Sequence, residues 1–180
     1  MEKHEIIEWR DRHNKEYASG IEVEQNVGDR LRVTKELSKD DLNKIIEWKF
    51  DTDGRIRTRE LNLVSTVDEH VLKKVSNEVF NLKVEQDKER IERLCEFSGI
   101  GVAVASVILT FFDPENYCVF DFHVWQEVFG GRPAYTIENY TLLLSKLREE
   151  AKIHGIKVRD VEKAYFKRNY DKKERALSLV

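Results

Sequence analysis

Residues 98–125, SGIGVAVASVILTFFDPENYCVFDFHVW, combine a glycine pair, an apolar run and a carboxylate within one short stretch. Gly99 and Gly101 precede the run 102–112, which ends before a proline. This run is apolar on all sides and too short to span a membrane, so it predicts a central buried helix. Asp121 follows inside a second apolar run, where burying a carboxylate is costly. The stretch therefore predicts the central helix of the core. It also predicts a carboxylate, that of Asp121, which core packing alone does not explain.

Apolar residues at helical spacing predict further helices on both sides of this stretch. A serine at position 38 and an aspartate at 41 form a capping-box pattern that marks one start. The helices predicted from these signals are 3–17, 38–50, 67–82, 85–97, 122–129, 136–153 and 160–168. Residues 18–35 mix glycine with alternating apolar residues and receive no assignment. Residues 170–180 are predicted to be a mobile tail.

The composition favours an all-α fold. The chain has 180 residues, with only 2 Pro and 8 Gly and with 36% charged and 41% hydrophobic residues. These values favour a helix-rich single unit over residues 1–180 rather than a β-sandwich or a disordered chain. The charged N-terminus and the lack of a long apolar run predict a cytoplasmic protein without a membrane partner. The oligomeric state is left open.

No metal or cofactor is predicted. Cys95 and Cys118 fit no multi-cysteine ligand spacing, and the five histidines are scattered along the chain. A formal net charge of −3 does not indicate nucleic-acid binding, although it is compatible with one basic face.

The segment 85–112 is predicted to be two helices joined by a tight turn at Gly99 and Gly101. Glycines let an anion approach backbone N–H groups, and the dipole of the following helix favours negative charge. The turn therefore suits a phosphate. It also suits a plain corner between helices, in which Gly99 ends one helix and Gly101 allows close packing, and the two glycines by themselves favour the corner.

Two motifs in sequence order resemble the helix-hairpin-helix DNA glycosylase (HhH-GPD) superfamily, which includes endonuclease III and 8-oxoguanine glycosylase. The first is LCEFSGIGVAVA at residues 94–105, and the second is VFDFHVW at residues 119–125. The spacing between them also resembles that of the family. The resemblance covers about residues 91–130.

This resemblance implies an all-α, two-lobed helical fold with a cleft between the lobes and duplex DNA as the partner. Asp121 falls on the family's catalytic aspartate. The positions that fall on its phosphate-binding hairpin are Gly99, Ile100, Gly101, Val102 and Ala103. A carboxylate suits this chemistry, because cleavage of an N-glycosidic bond develops positive charge on the sugar. A nearby carboxylate stabilises that charge and orients the attacking water. The target base must first be flipped out of the stack.

The departures from the family pattern narrow the predicted activity. Ala103 stands where lyase-competent glycosylases carry a lysine, so the predicted enzyme is a monofunctional glycosylase for a damaged or mispaired base. The cysteines that hold an iron–sulfur cluster in the endonuclease III branch are missing. The alternative is a non-catalytic relative that binds nucleic acid or a nucleotide, in which Asp121 caps its helix.

Further candidates come from aromatic and basic residues. The base-pocket candidates are Trp48, Lys49, Phe122 and Trp125, with Tyr165 as a further aromatic. Lys49 is expected to be a solvated residue at a helix end rather than a replacement nucleophile, and His123 is expected to be structural. Arg55, Arg57 and Arg59 are predicted to share one face of an extended segment and to contact phosphates. The other basic candidates are Lys163, Lys167, Arg168, Lys172 and Lys173.

Overall fold

The computed structural model describes residues 1–177, and all of its regular structure is helical. This confirms the all-α prediction. The α-helices of this part of the chain are α1 (Lys3–Glu16), α2 (Ala18–Thr34), α3 (Lys39–Lys49), α4 (Gly54–Ser65), α5 (Glu69–Asn81), α6 (Asp87–Cys95), α7 (Val102–Phe112), α8 (Phe122–Phe129), α9 (Ile137–His154) and α10 (Val158–Leu177). A short 3₁₀ turn, Val84–Gln86, precedes α6. The division into two lobes stays a prediction.

Helix α7 is the centre of the core, as its uniform apolarity predicted. Every residue from Val104 to Phe112 is buried. Helices α2, α3, α6 and α9 pack against α7, while α10 packs against α1, α8 and α9. Residues 98–125 therefore supply the central helix around which the other helices are arranged.

The capping-box prediction at the start of α3 is confirmed. The Ser38 hydroxyl accepts the Asp41 N–H at 3.1 Å, and the Asp41 carboxylate accepts the Ser38 N–H at 3.1 Å. The predicted bounds of α7 and α8 also match those of the structure.

The extended segment predicted around the three arginines is wrong, because residues 55–59 lie in α4. Asp53 is the N-cap of this helix, and its carboxylate accepts the Ile56 N–H at 3.0 Å. In a helix, residues two apart in sequence point to nearly opposite sides. Arg57 therefore does not share a face with Arg55 and Arg59.

Other differences concern the ends of the chain and one helix face. Residues 18–34, for which the sequence pattern predicted no particular element, form the regular helix α2. Helix α10 continues to Leu177, while residues 178–180 of the predicted tail lie outside the described residues. Helix α5 buries Leu72, Val79 and Phe80, whereas Val71 on the same helix is 47% exposed.

Within residues 1–177, no helix has the length and apolarity needed to cross a membrane. The same residues contain no cluster of three or more His, Cys, Asp or Glu side chains that could hold a metal ion.

Candidate functional site

The turn between α6 and α7, residues 96–101, is closed on the side of Gly99. This glycine has φ = 86°, in the region that favours glycine. A Cβ built there would lie 2.8 Å from Val64 Cγ2 and 3.0 Å from the Glu60 carbonyl oxygen of α4. Gly99 is thus required both by its backbone conformation and by close packing against α4.

The same turn is open on the side of Gly101. Gly101 is exposed, is the N-cap of α7, and has no atom within 4 Å of where a Cβ would be placed. No described side chain caps the first amides of α7. The interpretation that Gly101 is needed for close packing is therefore wrong, and Gly99 has that role.

The other residues of the predicted phosphate-binding hairpin differ in whether their backbone N–H groups are free to bind an anion. Ile100 places its side chain in the core, and its N–H donates to the Phe97 carbonyl at 3.1 Å. Val102 and Ala103 are half-buried in the first turn of α7. The N–H groups of this first turn lack partners within the helix. These amides, rather than the amide of Ile100, are the donors that remain for an anion.

Ser106 links this end of α7 to the segment that carries Asp121. Its hydroxyl accepts the Phe120 N–H at 2.8 Å and donates to the Ala103 carbonyl at 2.7 Å. Ser106 lies five residues beyond Gly101, which corresponds to about 7.5 Å along the helix axis. Asp121, the next residue after Phe120, is therefore held beside the half of α7 that begins at the hairpin.

The residues that precede Asp121 are each held by a side chain from another element. The Tyr140 hydroxyl of α9 donates to the Cys118 carbonyl at 3.0 Å. The Val119 N–H donates to the Glu162 carboxylate of α10 at 3.4 Å. Together with the Ser106 contact, these bonds hold the backbone up to Phe120 and give Asp121 a defined position.

The Asp121 carboxylate has two partners and remains partly accessible. Oδ1 accepts the His123 N–H at 2.8 Å, which makes Asp121 the N-cap of α8. Oδ2 lies 3.0 Å from Lys49 Nζ, and the Asp121 side chain is 21% exposed. Burial by itself would raise the pKa of Asp121, but the Lys49 ammonium and the His123 N–H outweigh burial and lower this pKa. The carboxylate is therefore ionised at neutral pH.

Lys49 is not the solvated lysine that its position at a helix end predicted. Its side chain is only 9% exposed, and Nζ also donates to the Phe120 carbonyl at 3.3 Å. The prediction failed because the loop between α7 and α8 returns to the end of α3, a contact with no local sequence signal. Lys49 and Asp121 therefore form an ion pair between the end of α3 and the loop that precedes α8.

An open pocket of about 400 Å³ lies next to Asp121, because Phe122, the following residue, forms part of its lining. It is lined by Phe122, Arg132, Pro133 and Tyr135. The Tyr135 ring packs on Phe120 with centroids 4.8 Å apart. Burial, with a further contribution from the Asp121 charge, raises the pKa of Tyr135 to about 12. The pocket therefore lies within electrostatic reach of the Asp121 carboxylate.

Two cations border this pocket. Lys173 Nζ lies 4.0 Å from the centre of the Phe122 ring. Arg132 is exposed and forms no hydrogen bond or ion pair with any described residue. Sequence reasoning missed Arg132, Pro133 and Tyr135. The signal was present in Gly130 and Gly131, both with positive φ, because a glycine pair predicts that the chain reverses after α8.

The remaining aromatic candidates lie outside the lining of the pocket. Trp125 is half-buried and packs on Phe120 and Phe129, at centroid distances of 5.9 and 4.6 Å. Trp48 Nε1 donates to the Gly20 carbonyl at 3.0 Å, and its ring packs on Phe111 of α7. The Tyr165 hydroxyl donates to Glu150. Of the predicted pocket residues, the structure brings together Phe122 and Lys49 beside Asp121.

The basic candidates on α10 are mostly neutralised by carboxylates. Lys163 pairs with Glu24, Lys167 with Glu16 and Asp171, and Arg168 and Lys172 with Glu127. These pairs form because α10 packs against α1 and α8, which supply several of the acids.

The predicted arginines of α4 differ in their contacts. Arg55 is exposed without a partner in the described part of the chain, whereas Arg57 donates to the Asp51 carbonyl at 3.2 Å and Arg59 pairs with Glu60. His123 has a structural contact, with Nδ1 at 2.9 Å from Asn169 Oδ1.

Comparison with known proteins adds no relative to this description. No family model, no curated protein and no solved structure matches the chain.

Proposed function

We propose that this protein is an HhH-GPD-like DNA glycosylase that hydrolyses the N-glycosidic bond of a damaged or mispaired base in duplex DNA. The observation that carries the proposal is the Asp121 carboxylate: ionised, partly accessible, and adjacent to an open aromatic pocket. The resemblance of the two sequence motifs to the superfamily supports the same reading.

In this proposal Asp121 acts on the charge that develops as the base leaves. Departure of the base makes the sugar oxocarbenium-like, and a fixed carboxylate stabilises that positive charge and orients the attacking water. The surroundings of Asp121 are largely apolar, so solvent screens its field weakly. Its lowered pKa keeps the negative charge in place at neutral pH.

The pocket and the hairpin supply the contacts that hold the DNA. Phe122 and Tyr135 offer aromatic surfaces for a flipped base, and Arg132 offers a cation for a neighbouring phosphate. The first amides of α7, at the exposed Gly101 end, suit a second phosphate. Ser106 couples the two parts, because it bonds both to the first turn of α7 and to the residue before Asp121.

The experiment uses duplex oligonucleotides that carry uracil, 8-oxoguanine, alkylated purines or mismatches, followed by hot alkali to break the strand at abasic sites. The test variant is Asp121→Asn, which keeps an oxygen that can cap α8 but removes the charge. We expect base release to fall about 100-fold or more, as for the loss of an electrostatic group in a transition state. No release by the wild-type protein from any substrate would refute the proposal.

A matched control comes from the N-cap of α5. Asp68 accepts the Val71 N–H at 3.0 Å, is exposed, and does not line the pocket. Asp68→Asn makes the same chemical change at the same type of position. We expect it to leave base release unchanged, and an equal loss in both variants would assign the Asp121 effect to helix capping.

A second candidate function, nucleic-acid or nucleotide binding without catalysis, is favoured by the two structural bonds of Asp121. Both carboxylate oxygens have a partner, as expected for a cap and ion pair that only stabilise the fold. Under this alternative, duplex DNA binds with an affinity that falls steeply with rising salt, but no base is released. Asp121→Asn would then lower stability and leave DNA affinity unchanged.

A further inference from the structure

We propose that the pocket next to Asp121 selects bases that carry carbonyl groups and no positive charge, such as uracil and xanthine, and that Arg132 binds the carbonyl oxygen. The inference rests on the proposed function, because it takes a flipped base to be the ligand of this pocket. It deepens that function, which names only a damaged or mispaired base, by excluding cationic alkylated bases as substrates.

The polar side chains that line the pocket are hydrogen-bond donors. Of the four lining residues, Arg132 and Tyr135 have polar side chains, whereas Phe122 and Pro133 have none. A guanidinium group has five N–H donors and no acceptor. Burial, with a smaller contribution from the Asp121 charge, raises the pKa of Tyr135 to about 12, so its hydroxyl keeps its proton at neutral pH. Neither side chain has a hydrogen-bond partner among the described residues, so both are available to a ligand that presents acceptors.

Positive charge is in excess around the pocket. Arg132 has no ion-pair partner in the described part of the chain, and the same holds for Lys173, whose Nζ lies 4.0 Å from the centre of the Phe122 ring. Asp121 is the acid beside the pocket, and Lys49 pairs with it at 3.0 Å. The negative charge is thus already compensated, and a base with a fixed positive charge is repelled by the two cations that remain.

The aromatic lining does not offset this repulsion. An aromatic face attracts a cation that lies within about 6 Å of its centre, and a cationic base could be held in this way. At Phe122, however, Lys173 Nζ already occupies such a position. A cationic base stacked on Phe122 would therefore meet a like charge across the ring, whereas an uncharged base stacks there without that cost.

The same groups suit the departure of an uncharged base. The bond from C1′ to the base nitrogen breaks with both electrons on the base, which leaves as an anion whose charge spreads onto its carbonyl oxygens. Hydrogen bonds from Arg132 and Tyr135 to such an oxygen strengthen as its negative charge grows. Water adds its oxygen to C1′, and the proton that it loses neutralises the base. A cationic alkylated base leaves as a neutral molecule, so these hydrogen bonds gain no strength during its departure.

The experiment measures the affinity of the full-length protein for two duplexes that resist cleavage, because a fluorine at C2′ opposes positive charge on the sugar. One duplex carries xanthine, a purine with two carbonyl groups, and the other carries 7-methylguanine, a purine of similar size with a fixed positive charge. Each base faces a tetrahydrofuran abasic analogue, so that no base pair has to be broken. We expect the xanthine duplex to bind about tenfold or more tightly than the other.

The test variant is Arg132→Gln, with Arg55→Gln as the matched control. Arg132 has no hydrogen-bond or ion-pair partner among the described residues, so its replacement removes no described contact that holds the fold. We expect Arg132→Gln to weaken the xanthine duplex selectively and to bring the two affinities within about threefold of each other. A contact with phosphate alone would instead weaken both duplexes alike. Arg55 is an exposed arginine of α4 outside the pocket lining, and its replacement should leave the affinity ratio unchanged.

Each outcome of the binding measurement supports the inference or overturns it. A selective loss in Arg132→Gln, with an unchanged ratio in Arg55→Gln, supports it. Equal binding of the two duplexes by the wild-type protein, or tighter binding of the 7-methylguanine duplex, overturns it. A uniform loss in Arg132→Gln, or the same loss of selectivity in both variants, also overturns it.

Base release from cleavable duplexes separates this inference from the proposed function. Release of alkylated purines by a protein that does not prefer the xanthine duplex would keep the glycosylase and remove the inference. Preference for the xanthine duplex without release of any base would keep the selective pocket and remove the glycosylase. No binding of any duplex would remove both.

Discussion

The protein contains two ion-paired carboxylate sites that differ in how completely they are closed. Between α2 and α10, Glu24 receives Arg159 Nε and Nη2 at 3.0 and 2.8 Å and lies 3.5 Å from Lys163 Nζ. Glu162, also bound by Arg159, completes this sealed cluster. At the hairpin end of α7, Asp121 has Lys49 as its one ion-pair partner in the described residues and is 21% exposed.

The two sites differ in the number of cations that bind the carboxylate and in how exposed the carboxylate is. In the sealed cluster, burial would raise the pKa of Glu24, but Arg159 and Lys163 lower it to about 2. Those cations and the 8% exposure of Glu24 leave no route for an external group. Asp121 is held ionised with fewer partners and more accessible surface. The sealed cluster therefore stabilises the fold, whereas the Lys49–Asp121 pair leaves part of its carboxylate accessible from outside the fold.

The largest expected effect is the loss of Arg159, the central cation of the sealed cluster. Arg159→Met leaves Glu24 and Glu162 buried without their main partner, so we expect the free energy of unfolding to fall by about 3–5 kcal/mol. Lys49→Met leaves Asp121 partly hydrated, and we expect a loss of about 1 kcal/mol. Urea unfolding at neutral pH measures both. Similar losses in the two variants would contradict the distinction between a sealed and a half-open site.

The next largest loss of stability is expected on the closed side of the hairpin, at Gly99, and a smaller loss on its open side, at Gly101. Gly99→Ala adds a Cβ that would lie 2.8 Å from Val64 Cγ2 at a positive φ. We expect a loss of about 2–3 kcal/mol from strain and overpacking. Gly101→Ala meets open space and changes only an N-cap preference, with a loss below about 1 kcal/mol. Thermal unfolding of the two variants checks the ranking, and a reversed order would mean that Gly101 is the packing glycine.

A smaller effect is the pH dependence of stability that comes from His13, the histidine beside the sealed cluster. Burial and the positive charges of Arg159 and Lys163 lower the pKa of His13 to about 3. The unfolded chain therefore binds this proton at higher pH than the folded chain, and the stability due to neutral His13 is lost as pH falls below about 6.5. Between about pH 7 and pH 5, we expect His13 to account for about 2 kcal/mol of lost stability.

The measurement is the urea midpoint at the two pH values for the wild-type protein and His13→Phe, which keeps a ring beside Tyr17 and Phe166. We expect a flatter pH dependence in the variant. Asp121 should not contribute in this window, because its lowered pKa means that its stabilisation is lost only below about pH 4. An unchanged slope in the variant would show that His13 titrates normally.

Much of the fold followed from local sequence signals. The uniform apolarity of residues 102–112 predicted the central helix, and the Ser38 and Asp41 pattern predicted the start of α3. The glycine pair at 130–131 marked the end of α8. These features could be predicted because each depends on residues within one or two helical turns. The alternating arginines of α4 did not indicate an extended segment, because they follow Asp53, which caps a helix that begins at Gly54.

The candidate site was only partly predictable. Asp121 and the hairpin could be selected from the sequence because a carboxylate in apolar company and a glycine pair are unusual locally. The contact with Lys49 joins residues 72 positions apart, and Tyr135 reaches Phe120 only through the reversal after α8. The neutralisation of the α10 cations likewise depends on acids from distant helices. Such contacts have no local periodicity that a sequence pattern could show.

The sequence by itself determined that the chain is helical, that α7 is central, and that Gly99, Gly101 and Asp121 are unusual, because these properties follow from local backbone preference and apolar periodicity. Only the tertiary structure decided which cations are free and which are paired, that Gly99 packs while Gly101 stays open, and that Lys49 meets Asp121. The physical reason is that burial and ion pairing depend on how the helices pack, and packing joins residues far apart in the chain.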